Sequence, residues 1–422
     1  MEDANVNTTS RRAFLTASAA AAVPFFIKGD SKTGSKNPIL GSGEHQYECI
    51  HDWGELPSNI KYGNTHSVCE DSQGHIYVHH TVHKDSPSLD SVVVFDDKGK
   101  FVKSWGPMFH GGAHGMLINK EGKTEYLYFC DEKHGIITKR TMKGEEVWTL
   151  GYPQDSPVYQ KGPGSTGPGG AAGLNYRPTN FAIAPNLDFW VGDGYGSYYM
   201  FHYSQKSSTA YPALVKTFGG PPAQAAGAGG GGRGDGGGRG KGGDGGGRGK
   251  GAAPGAGGAQ AAGGAPAAPP PRQPNQAGVP RNVPIESMNN PHGNMVDLRD
   301  PANPILLVAD RGNQRIVRYK LDDTPIDVVA GTLQPCHFHE HKGMIVVPDL
   351  AARVTVLDKD NKIVVHLGEG LTGNPPRTTE DRSKFVPGQF VNPHGATFDH
   401  AGNIFVSEWV EIGRVTKLRK VA

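Results

Sequence analysis

An all-β fold, a six-bladed β-propeller, is predicted by three features of this chain. A short frame recurs six times, at Gly63-Asn64-Thr65-His66, Gly112-Ala113-His114-Gly115, Arg177-Pro178-Thr179-Asn180, Asn290-Pro291-His292-Gly293, Gln334-Pro335-Cys336-His337 and Asn392-Pro393-His394-Gly395. Each copy is followed by a β-branched or aromatic run: HIYVHH, YLYFCD, DFWVGD, ILLVAD, MIVVPD and NIFVSE. Four of these runs end in Asp and one in Glu408, whereas the first ends in His80. No helical period of useful length interrupts them. Each unit reads as about four short strands separated by Gly, Asn and Asp turns. Such a unit cannot bury both of its faces alone, so the units stack around a common axis.

The elements follow in order. Ahead of the first unit, HQYECIHDWGEL reads as a strand able to pair with the last blade and close the ring. Positions 66 and 114 stand 48 residues apart, 292 and 337 stand 45 apart, and 337 and 394 stand 57 apart, each enough for four strands and their turns. Several units then place a basic and a β-branched residue at the next strand (Arg315-Ile316, Arg353-Val354, Arg414-Val415), followed by strands such as VVVFDDKGK and VTVLDKDNK. The pattern resembles NHL repeats over residues 46–422. A pair of β-sandwiches is the alternative, but it does not account for six matched frames.

The interval between positions 180 and 292 contains an insert at 219–282, between blades 3 and 4, built of Gly, Ala and Pro with scattered Arg and Lys. This composition cannot bury a core and predicts a flexible loop. Asp235 and Asp244 dilute its charge and no aromatic residue interleaves for base stacking. The formal net charge of the chain is only +2, so no nucleic-acid partner is expected.

At the N-terminus, Ser10-Arg11-Arg12-Ala13-Phe14-Leu15 opens an Ala-rich apolar stretch reaching about Ile27. It resembles a twin-arginine export signal, here residues 1–29, followed by a linker at 30–45. The resemblance implies a periplasmic or secreted protein exported by the twin-arginine route. The stretch is too short for a comfortable span, and no integral membrane segment is expected in the mature chain. Cys49, Cys69, Cys130 and Cys336 would then meet an oxidising compartment. They allow three pairings, or four buried free thiols, and the sequence does not choose.

In a propeller the first strand of each blade lines the central channel. The repeated positions His66, His114, Asn180, His292, His337 and His394 therefore converge on the axis. His114, His292 and His394 fall on alternate blades 2, 4 and 6, a third of a turn apart. Three neutral imidazoles so placed suit tetrahedral zinc with its fourth position open. Long connections before blade 3 (152–176), blade 4 and blade 6 (369–390) emerge on the same rim, where they can shape a binding site.

At these residues the chain resembles the peptidyl-α-hydroxyglycine α-amidating lyase family. The match rests on Pro291-His292, Pro393-His394, Gly112-Ala113-His114-Gly115, the segment ILLVADRGNQRIVRY, and Asp193-Gly194-Tyr195 in blade 3. The resemblance implies zinc on the three histidines, Tyr195 as the catalytic base, and cleavage of a small hydroxyglycine-like peptide substrate to an amide and glyoxylate. Two departures stand out. Where the family has a blade 1 Arg for the substrate carboxylate, this chain has His79-His80-Thr81-Val82-His83, so His80 occupies that place and Arg177 becomes a substitute anchor. Where the family has an Asp after the last zinc histidine, a calcium ligand, this chain has Gly395, which speaks against calcium. A monomer is expected. The competing function is a noncatalytic NHL propeller that binds a peptide, protein or glycan through its loop-rich rim and needs no metal. A lactonase-type propeller would place Glu, Asn and Asp around calcium, whereas a His-rich channel favours a borderline metal.

Overall fold

The computed structural model describes residues 37–159, 176–222, 282–370 and 375–421. Segment 1–29 and nearly all of the insert lie outside the described residues. Among the described residues there is no α-helix, and so none long and apolar enough to cross a membrane.

The chain forms a six-bladed β-propeller. Blade 1 comprises β3 (Thr65–Glu70), β4 (Ile76–His80), β5 (Val92–Phe95) and β6 (Phe101–Trp105); blade 2 comprises β7 (Ala113–Glu121), β8 (Thr124–Asp131), β9 (Ile136–Thr141) and β10 (Glu146–Leu150). Blade 3 holds β11 (Phe181–Ile183), β12 (Phe189–Gly192), β13 (Tyr199–Ser204) and β14 (Ala213–Gly219). Blade 4 holds β15 (Pro291–Asp297), β16 (Ile305–Asp310), β17 (Arg315–Lys320) and β18 (Pro325–Val329). Blade 5 holds β19 (His339–His341), β20 (Met344–Asp349), β21 (Arg353–Leu357) and β22 (Ile363–Leu367).

Blade 6 is composite. β23 (Pro393–Phe398), β24 (Ile404–Glu408) and β25 (Arg414–Lys420) are completed by β2 (His45–Ile50), which pairs antiparallel with β25 through Cys49 and Leu418. The predicted closing strand is therefore present. An outer strand, β1 (Ile39–Ser42), also pairs with β2. It lies inside the segment expected to be a linker, and its partner is supplied by the ring rather than by a local sequence signal.

Both faces of each blade are covered by neighbours, which explains why the second strands read as continuous apolar runs. In β16, Leu306 and Val308 pack toward blade 3, whereas Leu307 and Ala309 pack toward blade 5. Side chains alternate faces along a strand, so a strand buried on both sides needs no polar positions.

The terminal acids of these runs have a structural task. Asp193 accepts the Arg177 N–H at 2.7 Å, Asp310 the Asn289 N–H at 2.8 Å, and Glu408 the Val391 N–H at 2.7 Å. Asp349 accepts the N–H groups of Leu333 and Gln334, both at 2.7 Å. Each clamps the loop feeding its own first strand. In blades 4, 5 and 6 the basic residue opening the third strand is the counter-ion, as Arg315 to Asp310, Arg353 to Asp349 and Arg414 to Glu408. The Asp/Arg repeat is thus a buried brace, and each member would be costly to leave unpaired.

All four cysteines are buried free thiols.

Candidate metal centre

The recurring frame is built around a backbone irregularity. β7, β15 and β23 each shift register at the frame, between Ala113 and Met116, between Pro291 and Asn294, and between Pro393 and Gly395. A bulge re-aims the side chain it carries, and here it carries His114, His292 and His394. The glycine that follows is required by crowding. A Cβ on Gly115 would stand 2.3 Å from the Thr179 carbonyl oxygen, one on Gly293 2.6 Å from that of Cys336, and one on Gly395 2.6 Å from that of His66. Inner strands of blades 2, 4 and 6 therefore press against those of blades 3, 5 and 1.

That contact fixes the imidazoles. Nδ1 of His114 donates to the Thr179 carbonyl at 2.7 Å, Nδ1 of His292 to the Cys336 carbonyl at 2.8 Å, and Nδ1 of His394 to the His66 carbonyl at 2.9 Å. A carbonyl only accepts, so each Nδ1 carries the proton and each Nε2 presents a lone pair. The three rings are mutual neighbours, with centroids 4.7, 4.8 and 4.7 Å apart. All three are buried, and burial depresses their basicity, to about 3 for His114 and well below the usual value for His292 and His394. They are neutral imidazoles at physiological pH.

Tyr195 follows the blade 3 acid, and its hydroxyl lies 3.3 Å from His114 Nε2 and 3.0 Å from His292 Nε2. His394 Nε2 is buried without a partner. Two lone pairs thus face one phenolic proton, which can satisfy only one of them, and a third is buried without a partner. A cation would meet this imbalance.

Two groups of donors have all their ligand atoms within 4.8 Å of one another: His66, His114 and His394, and His292, Cys336 and His394. The expected set of His114, His292 and His394 divides between them, and the Tyr195 hydroxyl lies between His114 and His292. This buried His/Cys cluster can hold a metal. Neither group contains a carboxylate, so the donors fit a borderline transition ion and not calcium.

The other expected residues fall as follows. His66 is buried beside His114 and His394, with centroids at 5.0 and 4.6 Å. Asn180 is buried with its Oδ1 unpartnered. His337 donates from Nδ1 to the Ala396 carbonyl at 3.2 Å. Arg177 reaches the mouth, with its guanidinium 5.1 Å from the Tyr195 ring centre, but Nε is bonded to Glu132 at 2.6 Å and Nη2 pairs with the same oxygen. It is not a free carboxylate anchor. His80 must be corrected more fully. It is fully buried, and its Nδ1 accepts the N–H groups of Val82 at 3.1 Å and Gly63 at 3.4 Å. It does in blade 1 what the acids do elsewhere.

Arg311 was missed as a site residue. Its Nη2 donates to the Tyr195 hydroxyl at 3.2 Å and its Nη1 approaches Cys336 Sγ at 3.7 Å. A signal existed: across the six units, the residue after the strand-ending position is Thr81, Glu132, Gly194, Arg311, Leu350 or Trp409, and only blade 4 places a cation there. Burial raises the Tyr195 phenol above its ordinary value, while the Arg311 charge opposes the shift.

Buried histidines outside the cluster make an acid-lability prediction. Burial lowers His79, His80 and His339 to about 3 and His337 to about 4. In the unfolded chain these rings protonate near 6.5. Below that pH the unfolded state binds more protons, so stability present above about 6.5 is lost as the pH falls toward 4. Melting temperature measured from pH 7.5 to 5 should fall steadily, and a flat profile would contradict their burial.

No family model matches the chain, and no curated protein matches it. Several solved structures align with it at low identity. A streptogramin B lyase structure aligns with a TM-score of 0.44 and 9% identity, covering 90% of this chain and 99% of the other. A gluconolactonase from Xanthomonas campestris aligns at 0.45 and 10%, covering 90% and 94%. A protein of unknown function from Bacteroides thetaiotaomicron aligns at 0.48 and 10%, covering 88% and 77%.

Proposed function

We propose that this chain is an exported, zinc-dependent lyase on an NHL-type propeller, acting on α-hydroxylated glycine-like amides to release an amide and glyoxylate. The observation that carries this reading is the Tyr195 hydroxyl set against His114 Nε2 and His292 Nε2, with His394 Nε2 unpartnered beside them. Export rests on the Arg11-Arg12 segment. His114, His292 and His394 would hold the metal. When bound, a divalent ion supplies Lewis acidity that makes a substrate hydroxyl easier to ionise.

Tyr195 is half-buried and so reachable from the rim. Arg311 Nη2 at 3.2 Å, together with a bound cation beside the imidazoles, would favour loss of the Tyr195 proton to solvent, and the resulting phenolate would take the substrate hydroxyl proton at its own oxygen. The freed electron pair on the substrate oxygen forms the aldehyde C=O as the C–N bond breaks, and the departing amide nitrogen takes up a proton. No oxidant or reductant is consumed. The test is glyoxylate release from short hydroxyglycine-extended peptides by protein loaded with about one zinc per chain. Zinc-loaded protein that releases none from several peptides would favour a noncatalytic rim that binds a peptide, protein or glycan.

A further inference from the structure

We propose that Cys336 is a metal ligand, its sulfur joining His292 and His394 on one ion. The inference rests on the reading of the channel as a metal centre, and not on lyase chemistry. Cys336 Sγ and one ring nitrogen from each of those histidines lie within 4.8 Å of one another, and all three residues are buried. His394 Nδ1 is committed to the His66 carbonyl, and its Nε2, on the opposite side of the ring, is buried with no partner. Its ring stands 4.7 Å from that of His292 and 4.8 Å from that of His114, centre to centre, so His394 belongs to the cluster.

Charge balance gives the second argument. Histidine ligands are neutral, so an all-imidazole set leaves both charges of a divalent ion uncompensated beside the Arg311 guanidinium. Isolated charge in a desolvated site is expensive. Neither donor group offers a carboxylate. A thiolate from Cys336 supplies the missing negative charge, and thiolate is a good ligand for zinc and cobalt. Its present partners are weak: a donated bond to the Gln334 carbonyl at 3.4 Å and the Arg311 Nη1 at 3.7 Å. Neither holds the sulfur strongly. In this set Cys336 takes the place that the three-histidine reading gives to His114, and His114 keeps its 3.3 Å contact with the Tyr195 hydroxyl.

Cobalt(II) replaced for zinc in the full chain reads the ligand directly. The wild-type protein should show a near-ultraviolet sulfur-to-cobalt charge-transfer band. Cys336→Ser should abolish the band and weaken cobalt retention at least about tenfold, whereas Cys49→Ser, Cys69→Ser and Cys130→Ser should leave the band unchanged. X-ray absorption on zinc-loaded wild type needs no variant and should show one sulfur at about 2.3 Å. Cobalt uptake without the band, or a zinc shell of nitrogen and oxygen alone, overturns Cys336 as a ligand and leaves the metal centre standing. Failure to take up either ion overturns both.

Discussion

Tyr195→Phe should keep its metal and lose turnover by about 10²–10⁴-fold, the usual contribution of a positioned acid or base. The hydroxyl is the only atom removed. It touches His114, His292 and Arg311 but packs no core, so folding should survive. His394→Ala should behave differently. His394 belongs to both donor groups, and its loss should empty the metal centre as well as stop the reaction. Metal content and glyoxylate release, measured on both variants and wild type, separate the two roles. Turnover that persists undiminished in Tyr195→Phe removes that residue from the chemistry. Metal retained at wild-type affinity in His394→Ala removes the donor cluster.

Glu408→Ala should be the most destabilising single change in the brace system, by about 3–5 kcal/mol. Glu408 and Arg414 are both buried, and Arg414 bonds Glu408 Oε1 from Nη2 at 2.9 Å. Truncating the acid leaves a guanidinium desolvated with no counter-charge, and frees the Val391 N–H that Glu408 accepts. The lesion falls in blade 6, where β2 pairs with β25 to close the ring. Glu408→Leu combined with Arg414→Leu should recover much of the loss, since a buried pair is often replaceable by apolar side chains. Urea unfolding of the single and double variants measures both effects. A single variant within about 1 kcal/mol of wild type would show that water reaches the pair.

Much of the architecture was legible because a propeller is a repeat. The runs ILLVAD and NIFVSE carry their own strand propensity, and the Gly and Asn turns set their lengths. The closing strand was visible for the same reason, since HQYECI has a strand's composition and no blade of its own. β1 was not visible. Residues 39–42 become a strand because β2 offers an open edge, and an edge is a property of the assembled sheet. His80 misled because position alone suggested a substrate contact. In the folded chain it replaces an acid, and its Nδ1 accepts loop N–H groups as a carboxylate would.

The sequence by itself determined the fold, the six frame positions, and which blades carry the His-Gly pair, because each of these repeats locally along the chain. Only the tertiary structure decided how the donors point. The tautomer of His292 depends on the Cys336 carbonyl, that of His114 on Thr179, and that of His394 on His66, all from the next blade. Arg311 meets Tyr195 across 116 positions of sequence, and Cys336 meets His394 from the neighbouring blade. Such contacts have no local signature: they arise when six inner strands crowd one axis, and bulged backbones turn their side chains into one narrow space where some lone pairs, His394 Nε2 among them, are left without a partner.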